Sequence, residues 1–130
     1  MLEHVTEDDL LRIHRASFRW MKPDAVWVHW CHRATVARTR ISLHTVDFLR
    51  YSRAEWEGIA GHRFAFHNRL RRPQFRELFD RAGWKILAET ASINDRALAT
   101  LPQLPLHADY ADMPPEELVA GSLWFVLGKK

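Results

Sequence analysis

HNRLRRPQFRELFDRAGWKI, residues 67–86, decides how the chain is read. It holds five arginines, yet Phe75, Leu78, Phe79 and Ala82 recur at helical spacing. Pro73 suits the first turn of a helix, where its missing N–H would be unpaired anyway. Gly83 supplies a left-handed stop. WKILAETA then alternates apolar and polar residues, as an edge or half-exposed strand does. The stretch therefore reads as an amphipathic helix feeding a strand, with Arg72, Arg76 and Arg81 mostly on a solvated face.

The same pattern continues in both directions. TEDDLLRIHRASFRWM reads as a helix capped by Thr6, with Asp9 three residues on and an apolar stripe of Leu10, Ile13, Ala16 and Trp20. Lys22-Pro23-Asp24 turns the chain into AVWVHWC, β-branched and aromatic, expected as a largely buried strand. Residues 32–49 fit a short helix or an irregular crossover. Ser52 and Glu55 form a capping box for a short helix through Trp56 and Ile59 to Gly61. Downstream, DRALATL reads as a short helix after Asn94, and Pro115 opens one further helical turn. AGSLWFVLGKK closes with an unbroken apolar strand, which predicts neighbours on both sides. Residues 1–130 carry no repeat, linker or low-complexity tract and are expected to form a single domain.

Composition narrows the class. The chain has 130 residues, 47% of them apolar and 27% charged, with a net charge of +3. These are ordinary values for a globular domain. Its longest apolar runs are too short to span a bilayer, so no membrane role is expected. A single cysteine, Cys31, admits no intramolecular disulfide and fits a reducing compartment, so a cytoplasmic location is expected. Residues 38–76 hold nine arginines against three acids, which keeps a nucleic-acid-binding module as an alternative. His29, Cys31 and His32 suggest metal ligands, but a zinc site needs about four, and no second pair stands at finger spacing. No metal is expected, and His29 reads as a core or pocket histidine. Trp27, Trp30, Trp56 and Trp84 are expected mostly in the core.

Three local passages, in order, point to a family. MLEHV followed by a helix and FRWMKPDAVWV, then NRLRRPQFRELFDRAGWKI, then SLWFVLGKK, resemble the C-terminal half of a class I S-adenosylmethionine-dependent methyltransferase. The resemblance implies an α/β, partial Rossmann-like fold: the C-terminal part of a mixed sheet with flanking helices. The last strand would insert antiparallel between the two strands preceding it. It implies methyl transfer from S-adenosylmethionine, with a small-molecule acceptor favoured. Two departures stand against a complete enzyme. The five glycines, at 58, 61, 83, 121 and 128, include no G-x-G, so the turn that lets backbone approach the cofactor is missing from this sequence. Asp24-Ala25 also replaces the family's double glycine. The expectation is a truncated chain, inactive alone. It would self-associate, or pair with a partner as a non-catalytic subunit, through an exposed sheet edge.

The resemblance also selects candidate residues. Glu3 and His4 fall at the end of the family's fourth strand, beside cofactor and substrate, with His4 a candidate base. His32 and Arg33, at a strand's C-terminal end, are candidate substrate contacts. Asn68 and Arg69 are placed at a crossover next to the pocket, although a structural role competes for Arg69 and Arg71. Tyr110, in a long loop with His107, is a candidate for a lid over substrate.

Overall fold

The computed structural model describes residues 2–32, 46–60 and 67–130. The elements are α1 (Glu7–Trp20), β1 (Val26–His32), α2 (Arg53–Ala60), α3 (Arg72–Arg81), β2 (Trp84–Ile93), α4 (Asp95–Thr100), α5 (Pro115–Leu118) and β3 (Ala120–Lys129). Short 3-10 turns occupy Leu2–His4, Asp47–Arg50, Leu101–Gln103 and Ala108–Tyr110. Most of the ambiguous stretch 32–49, and the expected stop at Gly61, lie outside the described residues. No described helix is long and apolar enough to cross a membrane.

The protein is an α/β fold on a three-stranded sheet of order β1-β3-β2. The unbroken apolar β3 runs antiparallel to both neighbours, so β1 and β2 point the same way. Leu123, Phe125 and Leu127 of β3 are fully buried because they alternate onto the face that the helices cover. The alternating strand β2 takes an edge, bulged near Leu87 and Ser92. Helices α1 and α3 cover one face of the sheet. Leu10 from the first and Phe75, Leu78 and Phe79 from the second pack with Cys31, Phe125 and Leu127 in one core cluster. Each such side chain contributes roughly 1.5–3 kcal/mol of burial free energy. A second cluster joins Leu49, Ala97, Leu101, Tyr110, Leu118 and Val119.

Local signals place these elements. Thr6 accepts the Asp9 N–H (3.2 Å) at the start of α1, while the Asp9 carboxylate takes the Thr6 hydroxyl proton (2.9 Å). Ser52 and Glu55 complete the expected capping box at α2: the Glu55 N–H donates to Ser52 Oγ, and the Ser52 N–H to Glu55 Oε2. Asn94 caps α4 through the Ala97 N–H. Gly83, at φ +95°, makes the left-handed exit from α3.

Several expectations need correction. The buried stripe of α1 is not Leu10, Ile13, Ala16 and Trp20: Trp20 is 87% exposed and Ile13 is also open. The inward face runs through Leu10 and His14, because a histidine kept uncharged can occupy a core position that the apolar pattern skips. Strand β1 is not largely buried. His29 and Cys31 face the helices, whereas Val26, Val28 and Trp30 are each more than half exposed on the opposite face. Trp30 therefore leaves the core, where Trp56 and Trp84 remain. Arg81 is solvated as expected, but Arg72 and Arg76 are not mostly so. Arg72 grips Glu117 of α5 with two bonds (2.6 and 2.7 Å), and Arg76 pairs with Glu89 of β2 and reaches Glu117 at 3.5 Å. Charge on the flank of a helix finds carboxylates on the elements packed beside it, which a single-helix reading cannot see.

Candidate functional site

A cleft of about 270 Å³ lies between the N-terminus of α1, helix α2, residues 67–70 and the loop before α5. Asn68 organises it. Both amide protons of its side chain are used, donating to the Leu2 and Val5 carbonyls at 2.7 Å each. Its backbone N–H donates to the Glu3 carbonyl at 2.7 Å, and its Oδ1 accepts the Leu70 N–H at 3.2 Å. One side chain thereby ties the turn Leu2–His4 to the segment entering α3, across more than 60 residues of sequence. The turn carries Glu3 and His4. The His4 ring meets the His67 ring edge-on, 4.2 Å between centroids, and the Cys31 thiol approaches the Glu3 carboxylate at 3.7 Å.

Arg69 forms the inner wall. Its Nη1 donates to the Phe48 carbonyl at 3.1 Å and the Tyr51 carbonyl at 2.5 Å. The guanidinium lies 5.9 Å from the Trp56 ring centre and 5.4 Å from that of Tyr110. Such stacking offsets part of the cost of desolvating a cation. Burial pulls the Arg69 pKa below the ordinary guanidinium value, against the opposing pull of Tyr110 and Asp109. An arginine so placed stays charged at any physiological pH. Arg71 is more deeply buried and structural: it donates to the Leu118 and Arg69 carbonyls and stacks 4.6 Å over Phe48.

The rest of the lining mixes charge and aromatic surface. Arg53 adds a second cation, Glu7, Glu57 and Asp109 add carboxylates, and Thr6, His67 and Gln74 add neutral hydrogen-bonding groups. Such a wall suits a polar organic molecule with a flat or apolar part to lay against Trp56 and Tyr110. Its proton acceptors are carboxylates and the His67 imidazole. Among the described residues no group of three His, Cys, Asp or Glu side chains is placed to hold a metal ion.

Asn68, Arg69 and Tyr110 thus line one cleft, and Glu3 and His4 sit on the turn that Asn68 holds beside it. His32 ends β1 opposite Ser122; its side chain and Arg33 lie outside the described residues. Tyr110 does not belong to an open lid. It is 3% exposed, and its loop carries Leu101, Leu104 and Met113 into the second cluster. The spacing of apolar residues in that proline-bearing loop left this packing unmarked. Trp56, His67, Gln74 and Asp109 were not selected from sequence; only the position of His67 immediately before Asn68 was a signal.

Away from the cleft, His14 and His29 form a buried pair, Nε2 to Nε2 at 3.1 Å. His14 Nδ1 must donate to the Leu10 carbonyl (2.7 Å), since a carbonyl only accepts. When both rings are neutral, His14 Nε2 is therefore the acceptor and His29 Nε2–H the donor. Trp27 and Phe79 stack around the pair, and burial pushes the His29 pKa down to about 4, helped by the charge of His14. Comparison with family models, with curated proteins and with solved structures finds no match for this chain.

Proposed function

We propose that the chain is the C-terminal portion of a class I S-adenosylmethionine-dependent methyltransferase, furnishing the acceptor side of the site. One observation carries the reading: β3 is hydrogen-bonded between β1 and β2 and antiparallel to both, while α1 and α3 lie on one face. That is the order the resemblance implies for the fifth, seventh and sixth strands of the family. The clamp from Asn68 to residues 2–5 adds support, because it brings together two passages that the resemblance places around one pocket.

In this reading Trp56 and Tyr110 support the flat part of a small acceptor, Arg69 and Arg53 take its anionic groups, and His67 or His4 accepts its proton. The cofactor itself does not fit the described cleft. Among the described residues no glycine lines it, and backbone that must approach a nucleoside closely needs one. S-adenosylmethionine would be held chiefly by residues outside this sequence.

The arginine-rich module is the second reading, and the internal bonds of its block weigh against it. Of the arginines described between residues 38 and 76, Arg50 and Arg53 pair with Asp47 and Glu57. Arg69 and Arg71 hold carbonyls, and Arg72 and Arg76 hold glutamates. The test is a calorimetric titration of the folded chain with S-adenosylmethionine, run beside oligonucleotide binding over a salt series. One-site heat with little salt dependence supports a methyltransferase but overturns the reading that the cofactor is held chiefly by residues outside this sequence. Oligonucleotide binding that falls steeply with salt, without heat from S-adenosylmethionine, replaces it with the second. Silence in both experiments is what the reading expects of this chain alone, and the titration is then repeated with the half that carries the cofactor site.

A further inference from the structure

Among the described residues, nothing covers the sheet face turned away from α1 and α3, and that face is apolar. Val26 (54% exposed), Val28 (53%) and Trp30 (52%) point outward from β1, Trp124 (47%) from β3 and Leu87 (50%) from β2. The strand register sets these residues side by side: Val28 opposite Val126, Trp30 opposite Trp124, and Ala88 on the far side of Val126. The Trp30 and Trp124 rings stack, 5.7 Å apart at 24°. Leu87, on its bulge, lies over Gly128, whose backbone approaches so closely that an added Cβ would stand 2.9 Å from Leu87 Cδ1. The result is an apolar, aromatic-centred surface.

We infer that two copies of this chain pack open face against open face, related by a two-fold axis near the Trp30–Trp124 stack. Three arguments select a second copy as the occupant. Charge is the first. The outward positions of the three strands carry Lys85 at one end and Thr90, Ser122 and, by register, His32 elsewhere, with no carboxylate or arginine among them. A copy can therefore lie on a copy without like charges meeting at the centre, and the face offers nothing that would select a strongly charged partner. Area is the second. The five half-exposed side chains present roughly 500 Å² of apolar surface, taking large side chains at about 150–250 Å² each. Two copies would bury on the order of 1,000 Å² before any rim is counted, about the threshold for a specific interface. Shape is the third. An isologous contact needs a patch complementary to itself, and an apolar sheet face packs on its own copy about 10 Å away.

The association does not rest on the methyltransferase reading, since it follows from the exposed face alone. The test is sedimentation velocity of the full chain between about 1 and 100 µM, comparing wild type with Val28→Lys and Trp124→Lys. The expectation is a monomer–dimer equilibrium in wild type, with dissociation constants raised at least about 30-fold in both variants, as for a central interface residue. Circular dichroism checks that each variant is folded. Should either lysine unfold the chain, Thr90→Cys on the open face and Glu77→Cys on the outer side of α3 replace it. A bifunctional maleimide then links Thr90→Cys into dimers and leaves Glu77→Cys monomeric. A wild type that is monomeric throughout, that forms polydisperse aggregate, that dimerises equally well in both lysine variants or that binds lipid vesicles as a monomer overturns the inference.

Discussion

The buried pair His14–His29 sets a pH dependence that can be worked from its geometry. His14 is wholly buried and His29 is 8% exposed, and their Nε2 atoms share one proton across 3.1 Å. A second proton would set two N–H groups face to face among Trp27, Phe79 and Trp84. The folded chain therefore resists protonation, and His29 titrates near 4 rather than 6.5, chiefly through burial. The unfolded chain takes up the proton first, on passing below about pH 6.5. The stability that His29 contributes is thus fully present above that pH and is lost as pH falls toward 4. Each pKa unit is about 1.4 kcal/mol, so the loss from His29 alone is on the order of 3 kcal/mol. His14, also shifted down by burial, acts in the same direction. Urea unfolding, followed by tryptophan emission between pH 4 and 8, measures this against His29→Gln, which keeps a neutral donor and cannot titrate. Wild type should be the more stable at pH 8, and its advantage should shrink by about 3 kcal/mol on reaching pH 4. A gap that stays constant across that range would refute the reasoning.

Other consequences can be measured in the same way. Asn68→Ala removes three side-chain hydrogen bonds that join residues 2–5 to 68–70 and should cost about 2–4 kcal/mol by urea unfolding at about 1 each; loss under 0.5 kcal/mol would mean solvent replaces the clamp. Glu117→Gln removes the charge facing Arg72 and Arg76 and should cost about 1–3 kcal/mol, with little relief in high salt because the pair is largely shielded. Gly83→Ala forces an L residue to φ +95° against the Phe18 ring at 3.4 Å and should lower stability by about 1–2 kcal/mol in thermal unfolding. Gly128→Ala meets a nearer atom, Leu87 Cδ1 at 2.9 Å, yet should cost less, because that half-exposed side chain can swing away.

Much of this fold was legible in the sequence because its signals are local. The Ser52–Glu55 box, the short helix after Asn94 and the stop at Gly83 each rest on signals within a few residues and are found where expected. The contrast between alternating β2 and unbroken β3 matches their edge and central positions, although β3 is covered on one face only and its apolar Trp124 stays 47% exposed on the other. What failed had non-local causes. Val26, Val28 and Trp30 look like core residues because their chemistry suits burial, and nothing in a strand's own sequence says whether its second face is covered. His14 looks polar because its partner, His29, lies fifteen residues away on another element. Arg72 and Arg76 look solvated because Glu89 and Glu117 arrive from later in the chain.

The candidate site divides along the same line. Asn68 and Arg69 were selected by resemblance and Tyr110 by its place in a long loop, and all three line one cleft, but the physical role of each came only with its partners. Asn68 spends its whole amide on carbonyls of the first turn, so it positions Glu3 and His4 and has no donor left over for a ligand. Arg69 spends one nitrogen, Nη1, on two carbonyls, and its guanidinium carbon lies 5.9 Å from the Trp56 ring centre and 5.4 Å from that of Tyr110. A charged group fixed in that way can meet an anionic ligand without further loss of side-chain freedom, which is the physical content of a prepared site. Arg69→Lys should therefore weaken ligand binding more than it weakens the fold. An ammonium can still reach a carbonyl but lacks the planar guanidinium face that stacks on aromatic rings.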